Sequence, residues 1–162
     1  MCNVNPFEQG FYDALEKTAG ALDLYIVGPG GSGKTTLADK YSKTHTIIHL
    51  DDYQLKNQGK KRIGHRWSVV RRLIEESKKP VVVEGISVNP ALARKAKKKL
   101  LLNPSLGRTL LQRLKRGATP SERPFWGNDD PRTGWRRHRR WQQFFLPGAK
   151  KAGFQPADKV TS

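Results

Sequence analysis

Apolar residues fall along the chain in short runs separated by polar, glycine- or proline-containing stretches. Residues 6–20 place Phe7, Phe11, Ala14 and Leu15 at helical spacing with Gly20 as a stop, which predicts a first helix. Residues 23–27 (DLYIV) predict a buried strand ending at a glycine-rich turn, and TTLADKYSK beyond the turn predicts a helix. Residues 45–50 (HTIIHL) predict a second strand, followed by Asp51, Asp52 and Tyr53. The polar stretch 54–66 predicts a loop, and 67–78 a helix with Val70, Leu73 and Ile74 on one face. Pro80 opens a third strand, VVVEG; residues 91–99 predict a short basic helix and 99–103 a fourth strand. Pro104 and Ser105 suit the start of a helix over 105–116. Residues 117–134, rich in Gly, Pro and charge, predict a loop or lid, and 135–146 a helix. Pro147, Gly148 and Pro156 break the tail before a short final strand in 159–162.

Strands alternating with helices predict an α/β fold, a parallel sheet of about five strands with helices on both faces. The chain has 162 residues, the length of one domain. Its one cysteine, Cys2, excludes an internal disulfide framework. No apolar run reaches the ~20 residues needed to span a bilayer. The first 15 residues lack the basic start and apolar stretch of a secretory signal, so a cytoplasmic protein is expected.

Within this frame the sharpest signal is Gly28-Pro29-Gly30-Gly31-Ser32-Gly33-Lys34-Thr35, which fits G-x-x-x-x-G-K-[ST] between a predicted strand and a predicted helix. Glycines there let successive N–H groups turn inward around phosphate oxygens, and the helix start adds its positive end. The expected nucleotide contacts are Gly28, Gly30, Gly31, Ser32, Gly33, Lys34, Thr35 and Thr36, with Lys34 at the β/γ-phosphates and the Thr35 hydroxyl on Mg²⁺. Asp51 and Asp52 follow the second strand, at the sheet end where ligands bind in doubly wound folds. One is expected to accept the proton of an attacking hydroxyl and the other to assist or hold metal; Asp51 is the favoured base, and the reverse assignment stays open. Glu84, ending the third strand, is expected as a further metal contact.

Charge then narrows the partner. Residues 1–60 carry 6 Lys+Arg against 7 Asp+Glu, whereas residues 61–162 carry 25 against 7. The whole net charge of +17 therefore comes from the second part, which suits a polyanion. Candidate contacts to a nucleic-acid acceptor are Tyr53, Lys61, Arg62, His65, Arg66, Trp67, Arg123, Arg136, Arg137, Arg139 and Arg140. Trp67, Trp126, Trp135, Trp141, Phe144 and Phe145 are interleaved with these cations, and aromatics so placed can stack on unpaired bases, although Phe144 and Phe145 are expected in the core. An anionic membrane is disfavoured, because no segment joins a clean apolar face to a basic one. The four histidines show no metal-ligand spacing.

Taken together, LYIVGPGGSGKTTLA, LDDYQ, VVVEGIS, LLLNPSLGRTLLQRLKRG and FFLPGAKKAGFQPADKV resemble, in order, the motifs of P-loop kinases of the uridine kinase-like group. The resemblance implies one P-loop kinase domain over 1–162, a three-layer sandwich with a basic lid at about 113–140. It implies ATP and Mg²⁺, a catalytic Asp51 with Lys34, lid roles for Arg113 and Arg116, and metal contacts from Thr35, Asp52 and Glu84. A similar Asp-Asp-Tyr occurs in kinases that phosphorylate 5′-hydroxyl ends of polynucleotides. Small size and high basicity make the chain most similar to the bacteriophage 5-hydroxymethyluracil DNA kinases. That likeness implies a DNA acceptor and, for a phage protein, the host cytoplasm. A nucleoside or small-metabolite kinase, a 5′-end polynucleotide kinase and a non-catalytic nucleic-acid-binding ATPase remain the alternatives.

Overall fold

A computed structural model describes residues 20–55, 64–108, 111 and 131–157. Its main sheet has five strands: β1 (Leu22–Val27), β2 (Thr46–His49), β5 (Val81–Gly85), β6 (Lys98–Leu101) and β7 (Gln155–Pro156). Their order is β2-β5-β1-β6-β7, and every pairing is parallel. Two-residue strands β3 (Gln54–Leu55) and β4 (Gly64–His65) form a separate antiparallel pair. Between the strands lie α1 (Lys34–Asp39), a 3₁₀ turn (Leu50–Tyr53), α2 (Trp67–Glu75) and α3 (Pro90–Lys95). After them come α4 (Pro131–Arg140), a wide π turn (Trp141–Phe145) and α5 (Leu146–Lys151). The predicted α/β class is what the chain forms.

Alternation along the strands divides the core in two. Tyr25, Val27, Val81 and Val83 face a cluster holding Val70 and Ile74 of α2, Leu92 of α3, Trp141 and Leu146. Leu24, Ile26, Val82 and Leu100 face the other way, onto Ala38 of α1. Both faces are buried, so these strands read as unbroken apolar runs rather than alternating ones. Helix α3 starts where it does because the Asn89 side chain accepts from the N–H groups of Ala91 and Leu92, at 2.9 and 3.2 Å, with Pro90 in its first turn. Burial pushes the Tyr25 phenol upward; its hydroxyl donates to Ser87 O at 2.7 Å and accepts from Asn89 N–H at 3.2 Å.

Several expected boundaries move. The strand-flanking loop 54–66 contains the β3–β4 pair. Helix α1 stops at Asp39 and α2 at Glu75, each shorter than predicted. Residues 131–134, assigned to the lid loop, open α4 instead, because proline is well suited to a first helical turn. Pro147 and Gly148, read as breakers, lie inside α5, with Pro147 in its first turn. Proline has no N–H, and its ring clashes with the carbonyl four residues back in a regular helix. The π turn before it relieves that conflict: Leu146 N–H donates to Trp141 O, five residues back. Pro156 sits in β7, an edge strand where a missing donor costs little. The predicted helix over 6–20, the final strand in 159–162 and most of helix 105–116 and the lid lie outside the described residues; 106–108 and 111 are helical. Among the described residues, no helix is long and apolar enough to cross a membrane.

Candidate functional site

The site forms where β1, β2, β5 and β6 end on the same side of the parallel sheet. Space there is scarce, and two glycines answer to it. A Cβ on Gly28 would stand 2.5 Å from Leu102 O and 2.7 Å from Ser32 Oγ. A Cβ on Gly85 would stand 2.8 Å from Leu50 Cβ. Gly28 N–H donates to Gly85 O at 3.3 Å, and Leu102 N–H donates to Val27 O at 2.8 Å, so the strand ends are laced together. Gly31 and Gly33 serve a different need: their φ angles are 81° and 86°, in the left-handed region that favours glycine.

The turn so built folds back on itself, Ser32 N–H reaching Pro29 O at 3.2 Å, and Gly33 becomes the N-cap of α1. Lys34 is buried at 7 % exposure, and its ammonium donates to Pro29 O at 3.0 Å. The Ser32 hydroxyl is buried without a hydrogen-bond partner. An ammonium and an orphaned hydroxyl buried in one glycine-rich turn are costly in an apolar setting and suit an anion. Of the nucleotide contacts expected from sequence, Gly28, Gly30, Gly31, Ser32 and Gly33 form the turn, and Lys34, Thr35 and Thr36 open α1 directly after it.

Across the sheet end, Glu84 is buried and gathers two neighbours. Thr35 Oγ1 donates to Glu84 Oε1 at 3.2 Å, and His49 Nδ1 lies 2.7 Å from the same oxygen. His49 and Glu84 are direct register partners on β2 and β5. Burial alone would raise Glu84, but the His49 hydrogen bond, the Lys34 charge and the Thr35 hydroxyl together hold its carboxyl below the ordinary range. The Glu84 hydrogen bond raises His49, against a smaller opposing effect of burial, with the charges of Glu84, Asp52 and Asp39 adding to the rise.

Asp51 and Asp52 lie on the 3₁₀ turn directly after β2, Asp51 partly buried and Asp52 exposed. Tyr53 is partly buried and packs against the core. Its carbonyl accepts from Arg66 N–H at 2.9 Å, joining the turn to the start of α2. Arg66 is exposed, while Trp67 packs on the core. His65 belongs to β4; Lys61, Arg62, Arg113, Arg116 and Arg123 lie outside the described residues. Arg136, Arg139 and Arg140 are exposed and Arg137 is partly buried.

Trp141 is a correction to the interleaved-aromatic reading. It is 2 % exposed, stacks on Phe145 with ring centroids 5.9 Å apart, and donates its indole N–H to Asn103 Oδ1 at 3.2 Å. It belongs to the core, where its apolar surface is worth most. Phe144, expected in the core, is 72 % exposed, whereas Phe145 packs against the core as expected. His49 is the residue that sequence reasoning passed over. Its position two places before Asp51 at the end of a predicted strand was the one signal in the sequence; the partnership with Glu84 comes from β2 lying beside β5.

One hydroxyl and one carboxylate make a donor set that suits Mg²⁺, which keeps several waters and takes few protein ligands besides phosphate. Among the described residues no group of three or more His, Cys, Asp or Glu forms a protein cage for a metal. The chain matches no protein-family model and no curated protein.

Proposed function

We propose that the chain is an ATP- and Mg²⁺-dependent phosphotransferase of P-loop kinase type, whose acceptor hydroxyl is carried on DNA. The observation that carries this reading is the linked set of Lys34, Thr35, Glu84 and His49, held at one end of the sheet beside the Asp51 turn. Lys34 and the glycine turn bind the triphosphate, and Thr35 with Glu84 would hold Mg²⁺, directly or through water. Bound there, Mg²⁺ neutralises charge on the phosphates. The acceptor oxygen attacks the γ-phosphorus, the bond to the β–γ bridging oxygen breaks, and ADP leaves. The acceptor proton passes to the Asp51 carboxylate.

Charge supports the choice of DNA. A triphosphate needs only a few cations, whereas 25 Lys+Arg stand against 7 Asp+Glu in residues 61–162. The best-fitting acceptor is the hydroxymethyl group of 5-hydroxymethyluracil within DNA, reached by extruding the base from the stack. The test is transfer from γ-labelled ATP to free nucleoside, unmodified DNA and 5-hydroxymethyluracil DNA, with open and blocked 5′ ends. Label on modified DNA, unaffected by blocked ends, is the expected result. Label on free nucleoside alone overturns the DNA acceptor, label lost on end-blocking assigns a 5′-end kinase, and ATP hydrolysis without transfer overturns the kinase.

A further inference from the structure

We infer that the outward face of α4 and the π turn is a docking surface for single-stranded DNA. Trp135 and Phe144 stack unpaired bases there, while Arg136, Arg139 and Arg140 take the phosphates. The inference rests on the proposed DNA acceptor for its choice of DNA, and on the geometry of this face for everything else.

The segment has two sides. Inward, Trp141, Leu146 and Ala149 are buried, and the side chains of Trp141 and Gln142 both donate to Asn103 Oδ1, at 3.2 and 2.9 Å. Asn103 follows Leu102, whose carbonyl crowds Gly28 of the phosphate turn. The segment is therefore anchored at the end of the sheet that carries the candidate site. Outward, Trp135 is 46 % and Phe144 72 % exposed, and Arg136, Arg139, Arg140 and Gln143 are exposed between them. The π turn rotates less per residue than an α-helix, so these residues spread over the outward half of the segment, away from Trp141 and Leu146.

A large exposed aromatic is a cost to a protein unless something covers it. Among the described residues the exposed large apolar side chains are Leu111, Trp135 and Phe144, so two of the three lie on this face. Between the two rings stand Arg136, Arg139 and Arg140, and residues 131–157 contain no acidic residue. The Arg139 guanidinium already lies over the Trp135 ring, 5.4 Å from its centroid, so cation and π surface are presented together. The nine steps from Trp135 to Phe144 rise about 13 Å at helical spacing, room for a few nucleotides. Aromatic platforms alternating with phosphate-binding cations are the chemistry of single-strand recognition. An anionic membrane would instead call for a continuous apolar stripe, and arginines interrupt this one.

The experiment uses the full chain without nucleotide. Anisotropy is followed with a labelled oligothymidylate, with a duplex of equal length and with phosphatidylserine vesicles. Oligothymidylate is expected to bind and to quench tryptophan fluorescence. Trp135→Ala and Phe144→Ala are each expected to weaken it about ten-fold while changing duplex affinity little. Trp135→Phe and Phe144→Tyr are expected to retain most of the affinity, which separates stacking from a folding defect. Replacing Arg136, Arg139 and Arg140 by Gln is expected to flatten the log–log salt slope by about 2. Wild-type affinity in both alanine variants overturns the inference, as does binding to vesicles without binding to oligothymidylate. If such variants still label DNA, the kinase reading survives the loss of this surface. If they lose oligothymidylate affinity while no DNA is ever labelled, the surface stands and the kinase reading falls.

Discussion

His49 and Glu84 face each other on neighbouring parallel strands and are joined by a 2.7 Å hydrogen bond in which Thr35 shares the same carboxylate oxygen. This contact makes stability depend on pH from two sides. Glu84 is lowered from 4.5, so its contribution is complete above that value and is lost as pH falls through its folded pKa. His49 is raised from 6.5, so its contribution is complete below that value and is lost as pH rises through its folded pKa. Denaturant unfolding across pH is expected to show greatest benefit from the pair between 4.5 and 6.5. His49→Gln should lower stability there by about 1 kcal/mol and remove the decline on the alkaline side.

Asp51 provides the sharpest division between a kinase and a nucleotide-binding protein without transfer chemistry. In the kinase reading, Asp51→Asn lowers turnover by roughly 10²–10⁴-fold and leaves ATP affinity nearly unchanged. Single-turnover transfer and equilibrium ATP titration on the same preparation check this. Unchanged turnover moves the base elsewhere, with Asp52→Asn the next variant.

Two glycines of the phosphate turn should respond to alanine for different reasons. In Gly28→Ala the new Cβ meets a backbone carbonyl at 2.5 Å, so the strand end or Leu102 must move. A loss of about 1–3 kcal/mol is expected, with weaker ATP binding. At Gly33 nothing lies within 4 Å of the new Cβ, and the cost is the left-handed backbone alone, about 1 kcal/mol. Thermal unfolding of both variants, read beside ATP titration, separates crowding from dihedral strain.

Trp141 should be a stability residue. Trp141→Ala is expected to cost about 3–5 kcal/mol through the cavity it leaves. Asn103→Ala removes the acceptor of a buried indole N–H and should cost about 1 kcal/mol. Chemical denaturation measures both. Loss of single-strand binding in Asn103→Ala without loss of stability would contradict this assignment.

Much of the sheet is legible in the sequence because strands buried on both faces leave unbroken apolar runs, as in LYIV and VVVEG. The phosphate turn is legible because its glycines and Lys34 recur at fixed spacing for a backbone reason. Less legible is anything decided by register between strands. His49 gains its partner only when β2 lies beside β5, a pairing 35 residues apart in the chain. Aromatic residues mislead in the same way. Trp141 and Trp135 have similar basic surroundings in sequence, yet one is buried and the other is 46 % exposed, because helical phase and not composition sorts them. Pro147 reads as a stop for a local reason that the preceding π turn cancels.

That π turn also sets a count. Trp141 and Leu146 are five residues apart and both buried. Five residues of regular α-helix advance the side chain about 140° beyond a full turn, which would carry Leu146 out of the core. The wider turn brings the two nearly into line. The stretch from Trp141 to Leu146 therefore tolerates changes of residue type on its outer side far better than a change of length. Losing one residue would leave Pro147 in a regular helix and turn either the tryptophan or the leucine toward water.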